Sequence, residues 1–283
     1  MIVSSSRILT VSAMALMCGV SATSRFSSNA EAMIAALDVR AVGAGLNEPA
    51  VLAQYLAQVA HESGRFMWDE EVWGPTAAQA RYETRTDLGN TSVIDGDGKL
   101  FKGRTSIMVT GGDNYRRFRD WCRALFPDVP DFEAEPHRIL DDPWEGLAPI
   151  WFWETNDLNR YARRGDIEMV TKTINGGLNG YADRLALYPR CALVLLGYNP
   201  DAVASFQRAV RMTVVDGIAG PMTRAAMHGA LSELPHWFLS ETGVVLAGDD
   251  PAPAQMPTSA PEALAAIRGV LSRYDLSLTA KGA

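Results

Sequence analysis

Three cysteines in 283 residues, Cys18, Cys122 and Cys191, are odd in number and far apart, and none has CxxC spacing. This argues against a disulfide framework and against a thiolate zinc site, and it fits maturation in a reducing compartment. The four histidines, His61, His137, His228 and His236, do not fall at metal-ligand spacing. No apolar run reaches the ~18 residues of a membrane span, so stable membrane insertion is not expected. Positive charge is scarce: 26 Lys and Arg face 33 Asp and Glu, a net charge of −7. Without a long basic run, general nucleic-acid binding is excluded. The densest cationic group, Arg116, Arg117, Arg119 and Arg123, reads as one solvated helix face.

What is present suits a folded chain. Hydrophobic residues make up 47% and charged residues 21%, enough for a sizeable core in one or two domains and too little charge for a disordered polyelectrolyte. The stretch "RILTVSAMALMCGVSATS" supports two readings. One is a weak secretion signal with a single Arg. The other is a core-facing helix, because Ile8, Leu9, Val11, Met14, Met17 and Cys18 recur at helical spacing. Ser, Thr and Gly interrupt the apolar run, which favours the helix.

Residues 8–196 read as mostly helical. Helices are expected over "PAVLAQYLAQVAHES", "DNYRRFRDWCRALF", "PWEGLAPIWFWETNDLNRYARRG", "IEMVTKTI" and "YADRLALYPRCALVLLGY". Between about 64 and 105 turn residues dominate, and "DGDGKLFKGRTSIMVTG" suggests a short β-hairpin. The segment 199–231 reads as a separate helix-turn-helix unit. A Pro/Ala linker follows at 247–261, then a tail helix with Leu264, Ile267, Val270 and Leu271 on one face.

Two carboxylates stand out. Glu62 follows Leu52, Tyr55, Leu56 and Val59 on one helical stripe and lies in the helix's last turn. Desolvation and the helix dipole there would favour a protonated acid. Glu71, nine residues on, sits beside Asp69 and Glu70 in a wetter, turn-rich stretch. Two carboxylates in unlike settings suit acid and base roles. A His-Glu-x-x-His zinc site fails because Arg65 stands where the second His is needed. A plainer reading, Glu62 as a helix-end residue paired with Arg65, stays open on spacing alone.

The run "AQVAHESGRFMWDEEVWGPT…RYETRTDLGNT…DGDGKLFKGR…TGGDNY…WFWETNDLN…VTKTINGGLNGYADRLALY" resembles the chitinase-like glycoside hydrolases of family 19, in their bacterial and phage endolysin branch. The likeness covers about 50–195 in the family's motif order. It implies a mainly α (α+β), lysozyme-like, two-lobed helical domain with a small β-hairpin. It implies Glu62 as general acid and Glu71 as general base of an inverting hydrolysis, with the carboxylates about 6.5–9.5 Å apart. It also implies that Thr110 helps hold the water, that Asn175 and Arg184 line the sugar site, that Tyr115 belongs to the cleft wall, and that His61 supports the acid's loop. Each has a structural alternative: a turn cap for Asn175, a salt-bridge partner for Arg184, a strand residue for Thr110, core packing for Tyr115. Trp151, Phe152 and Trp153 read chiefly as core. The hairpin departs from the family's pattern: Thr105 replaces a glycine, Met108 a sugar-binding Gln, and Gly112 a frequent Arg. This implies an altered subsite, with the carboxylates intact.

"VASFQRAVRMTVVDGIAGPMTRAAM" resembles the repeat of helical peptidoglycan-binding domains through Phe206, Gln207, Asp216 and Gly217, with Thr223 expected to cap the last helix. Its roughly 35 residues are short for a full domain. The expected division is a catalytic domain at 1–196, a wall-binding repeat or half-domain at 197–234, and linker and tail at 235–283. The expected function is an endolysin cutting peptidoglycan strands; the alternatives are a chitinase on poly-N-acetylglucosamine and a weakly active wall-binding protein. No metal or cofactor is needed, because two carboxylates suffice for proton transfer. The expected partner is peptidoglycan or a chitin-like polysaccharide, met by a monomer. The protein is expected to be made in the cytoplasm and to act on the wall or periplasm, with a holin or the weak N-terminal signal as export route.

Overall fold

A computed structural model describes residues 9–236. Among these described residues twelve α-helices follow one another: α1 (Val11–Cys18), α2 (Ser24–Ala44), α3 (Pro49–Glu62), α4 (Ala77–Ala80), α5 (Asp97–Leu100), α6 (Gly112–Leu125), α7 (Trp144–Thr155), α8 (Asn159–Ala162), α9 (Ile167–Asn175), α10 (Tyr181–Leu195), α11 (Val203–Ala209) and α12 (Pro221–Ser232). The class is mainly α. The expected hairpin is smaller than its sequence suggests: among the described residues the β structure is two isolated bridges, Glu70 to Arg104 and Arg104 to Val109. Thr105 and Met108 take φ of 68° and 53°, which an extended strand cannot hold, so the segment curls into a turn.

The centre of the fold is α3. Pro49 opens it, where a missing N–H costs nothing. Its sequence suggests a one-sided apolar stripe, yet every residue from Pro49 to Ala60 is buried. The reason lies in the other faces, where Ala50, Ala53, Ala57 and Ala60 let neighbours approach. Helix α10 packs along it, with α8 and α12 beside it, while α2 packs on α7. The single helix expected over 143–165 divides into α7 and α8, because Asp157 adopts a left-handed φ of 49° between them.

The ambiguous N-terminal stretch forms α1. Thr10 Oγ1 accepts from the Ala13 N–H at 3.1 Å, and Gly19 ends the helix in a left-handed conformation. Met14, Met17 and Cys18 are buried, and α1 lies against α10. From α10, Arg190 donates to the carbonyls of Leu16 (2.8 Å) and Met17 (2.9 Å), which a helix end otherwise leaves open. Ile8 lies outside the described residues.

Three of the four arginines of α6 are paired with carboxylates, and Arg117 is exposed. Arg116 pairs with Asp113 and Glu133, Arg119 with Asp120, Asp131 and Glu133, and Arg123 with Asp131.

The C-terminal pair, α11 and α12, is built around Gln207. Its Nε2 donates to Asp216 Oδ1 (2.9 Å), the Ile218 carbonyl (3.1 Å) and Thr223 Oγ1 (3.1 Å), and its Oε1 accepts from the Gly217 N–H (2.9 Å). The resemblance places Gln207 and Phe206 among the wall contacts, but both are buried and shape the unit from inside. Thr223 does not cap α12, whose N-cap is Gly220; its hydroxyl joins the Gln207 network instead. The buried core is one cluster running from Leu9 through Phe206 to Leu231. The linker and tail helix expected in 237–283 lie outside the described residues.

Candidate active site

Glu62 ends α3, where the chain turns back through Ser63 and Gly64. The sequence suggests a carboxyl desolvated among apolar side chains. Instead the side chain is 26% exposed, and Oε1 accepts from Nη2 of Arg184. Arg184 lies in the first turn of α10 and is wholly buried; its Nη1 donates to Gln58 Oε1, one turn before Glu62 on α3. So α10 presses a guanidinium against two successive turns of α3. A charge so deeply placed needs partners of this kind.

Arg65 does not pair with Glu62. It makes two bonds to Asp183, Nη1 to Oδ2 at 2.9 Å and Nη2 to Oδ1 at 2.5 Å. Asp183 Oδ2 also lies 2.6 Å from Nδ1 of His61. These bonds, Arg65's above all, hold the Asp183 carboxyl down at about 2 against the opposing effect of burial. The far side of the His61 ring faces Gly180. A Cβ there would fall 2.2 Å from Nε2, and φ is +70°, so the position requires glycine.

Glu71 is held from two sides. Its N–H donates to the Gly103 carbonyl at 2.8 Å. Its Oε2 accepts from the Gly103 N–H at 3.1 Å, and its Oε1 from Gln79 Nε2 at 3.0 Å. Each oxygen keeps a lone pair for another donor. Thr110 closes the same turn. A Cβ on Gly103 would lie 3.2 Å from Thr110 Oγ1 and 3.4 Å from Glu71 Oε2, so hydroxyl and carboxylate flank one glycine.

The 103–110 turn reaches both carboxylates. Glu71 hangs on its base at Gly103. Ile107, near its tip, lines a recess of about 60 Å³ with Glu62, Gln58, Val59, Phe152 and Ile174, among others. Asn175 follows Ile174 at the end of α9 and is exposed, its Nδ2 donating to the Asn179 carbonyl at 3.3 Å. Tyr115, expected on the cleft wall, is fully buried. Its hydroxyl accepts from Arg104 and donates to the Lys102 carbonyl, both at 2.7 Å, so it braces the turn from below. Burial pushes its phenol up to about 12.

Four supporting groups escaped the reading of the sequence: Gln58, Asp183, Gln79 and the Gly103 backbone. Gln79 alone carried a local signal, since Thr76-x-x-Gln79 fits a capping box. Among the described residues, no group of three or more His, Cys, Asp and Glu is arranged to hold a metal ion.

Solved structures share this fold. Chitinase C from Streptomyces griseus matches with a TM-score of 0.53 at 16% identity, covering 69% of this chain and 79% of that one. A bacterial family 19 chitinase matches with a TM-score of 0.52 at 18% identity, covering 68% and 97%. The architecture is thus the mainly helical one of these chitinases. No family model matches the chain. A glycosyl hydrolase family 19 domain-containing protein of Haemophilus influenzae is 31% identical over 163 residues, which are 48% of this chain and 76% of that protein. The chain belongs to glycosyl hydrolase family 19. An endochitinase of Arabidopsis thaliana is 29% identical over 147 residues, 52% of this chain; the chain spans about half of that relative, 47%.

Proposed function

We propose that this glycoside hydrolase cuts β-1,4 bonds of peptidoglycan strands by an inverting, two-carboxylate mechanism, as an endolysin does. The observation that carries this reading is the 103–110 turn, which holds Glu71 at its base and faces Glu62 across a recess through Ile107. In this scheme Glu62 is the general acid. Arg184 occupies Oε1, leaving Oε2 to deliver a proton to the leaving oxygen. Glu71 is the general base; the lone pairs left on its oxygens take the proton of a water that Thr110 helps to hold. Inversion needs about 6.5–9.5 Å between the carboxylates to admit that water. Asn175 contacts sugar at the end of α9, and His61, fixed by Asp183, supports the acid's loop.

The likeness of α11–α12 to wall-binding repeats supports peptidoglycan as substrate. A second reading, chitin, is supported by the chitinases among the relatives and fold neighbours. The enzyme would act on the wall as a monomer after release from the cytoplasm, with a holin as export partner.

Clearing assays on peptidoglycan and on chitin separate the two substrates, and release of reducing sugar distinguishes a glycosidase from an amidase. Glu62→Gln and Glu71→Gln should each lose about 10²–10⁴-fold in activity. A Glu62→Gln variant that clears both polymers as wild type does would refute the acid assignment. Products of retained anomeric configuration would refute inversion.

A further inference from the structure

Gln79 lies outside every motif that suggests chemistry, yet it is 5% exposed and fully hydrogen-bonded. Its Oε1 accepts from the N–H groups of Thr76 (2.7 Å) and Gly74 (3.3 Å). Its Nε2 donates to the Val72 carbonyl (2.8 Å) and to Glu71 Oε1 (3.0 Å). The two ends of the amide do different work. The oxygen completes the capping box of α4, where Thr76 reciprocates by accepting from the Gln79 N–H at 3.2 Å. A glutamate would supply that oxygen equally well. The NH₂ group matters only on the other side, where it meets two acceptors, one of them a candidate catalytic carboxylate.

We infer that Gln79 is a positioning residue for Glu71, its amide fixing the rotation of the carboxylate between α4 and the Gly103 backbone. This rests on the reading of Glu71 as general base. The surroundings make the amide's part large. Lys102 and Arg104 are drawn to the neighbouring Glu70. The hydroxyls of Tyr82, just after α4, and of Tyr115, on α6, both feel the charge of Glu71. The bonds given to Glu71's carboxylate come from neutral donors, Gly103 on one oxygen and Gln79 on the other.

Gln79→Glu isolates the donor. It keeps the oxygen that caps α4 and replaces the NH₂ facing Glu71 with a second carboxylate oxygen. Wild type, Gln79→Glu, Gln79→Leu and Glu71→Gln are compared for kcat, KM and Tm from pH 4 to 9. The substrates are soluble chitin oligomers and solubilised peptidoglycan strands. Two carboxylates at this distance share a proton, so the acidic limb of kcat for Gln79→Glu should move up by about one pH unit or more. Activity near pH 5 should fall about tenfold with KM close to wild type, and Tm should be closest to wild type at pH 4, where the shared proton is held, and fall as pH rises. Gln79→Leu, which loses cap and donor, should lower kcat and Tm together. A Gln79→Glu enzyme whose acidic limb stays at the wild-type position overturns the proposal and leaves Gln79 a helix cap only. If Glu71→Gln is as active as wild type, the base assignment fails and the positioning role falls with it. If Glu71→Gln is inactive while the limb stays, the positioning role alone is overturned.

Discussion

Arg65 shows how single residues are constrained around the candidate site. It and Phe66 both adopt left-handed backbone, φ 67° and 59°, a conformation costing on the order of 1 kcal/mol for a non-glycine residue. Arg65 offsets that cost by binding both oxygens of Asp183. Arg65→Gly removes strain and ion pair together, so stability at pH 7 should stay within about 1 kcal/mol of wild type. The acid response should change. Asp183 has a depressed pKa, so its contribution is present above the usual 3.8 and is lost as pH falls toward about 2. Thermal melts from pH 7 to 2 should show that loss in wild type and a flatter curve in Arg65→Gly; parallel curves would contradict it. Glu145 behaves in the opposite sense. It is 9% exposed at the start of α7, and burial first, then Asp69 and Asp142, push it up to about 7. Its ordinary value is 4.5, so folding loses stability as pH rises from 4.5 to about 7, by an amount on the order of 3 kcal/mol. Glu145→Gln should therefore match wild type below pH 4.5 and exceed it above pH 7 in urea denaturation. Equal slopes between pH 5 and 7 would refute this account.

At the scale of the element, helical periodicity and punctuation made most of the fold legible. Pro49 marks the start of α3, "NGGLNG" separates α9 from α10, and the stripe through Met14 and Met17 points α1 into the core. The misreadings have physical causes. Periodicity sees the large apolar stripe of α3 but not that alanines bury its other faces. Turn residues around 96–111 suggest a hairpin, but left-handed Thr105 and Met108 break the extended run. The carboxylates and Arg184 were legible as motif residues. Gln58 and Asp183 were not singled out, because the contacts that give them meaning span more than a hundred residues, Gln58 to Arg184 and His61 to Asp183. Helix α1 is the element whose sequence also reads as a removable leader. Met14 is completely buried, and Met14→Ala should destabilise the protein by about 2–5 kcal/mol in urea denaturation. A loss below about 0.5 kcal/mol would mean that α1 is peripheral to the core.

The whole molecule poses the question of what α11 and α12 do. A wall-binding module on a free hinge would leave the catalytic body indifferent to its presence. Here α12 packs on α10 and α3, the two helices that carry Arg184 and Glu62, and it buries Met227 and Leu231 completely. His228 Nε2 lies 3.0 Å from the Arg163 carbonyl, on the loop after α8. Ending the chain at residue 196 would therefore expose apolar surface of α3 and α10 and loosen the support of both. The shortened protein should show a lower Tm and lower activity on soluble oligomers, which need no wall anchoring; unchanged values would favour a detachable module. Any wall contact must use the outside of the unit, since Phe206 and Gln207 lie within it. Val214, Ile218 and Met222 are 61%, 65% and 66% exposed around the Asp216–Gly217 turn. Val214 and Ile218 lie outside the core cluster, and replacing them by Ser keeps the backbone carbonyl of residue 218 that Gln207 binds. If that surface holds the wall, the double variant should keep its Tm and its activity on soluble oligomers while sedimenting less with insoluble peptidoglycan. If sedimentation is unchanged, this surface does not hold the wall, and α11 and α12 serve the rest of the chain as a brace.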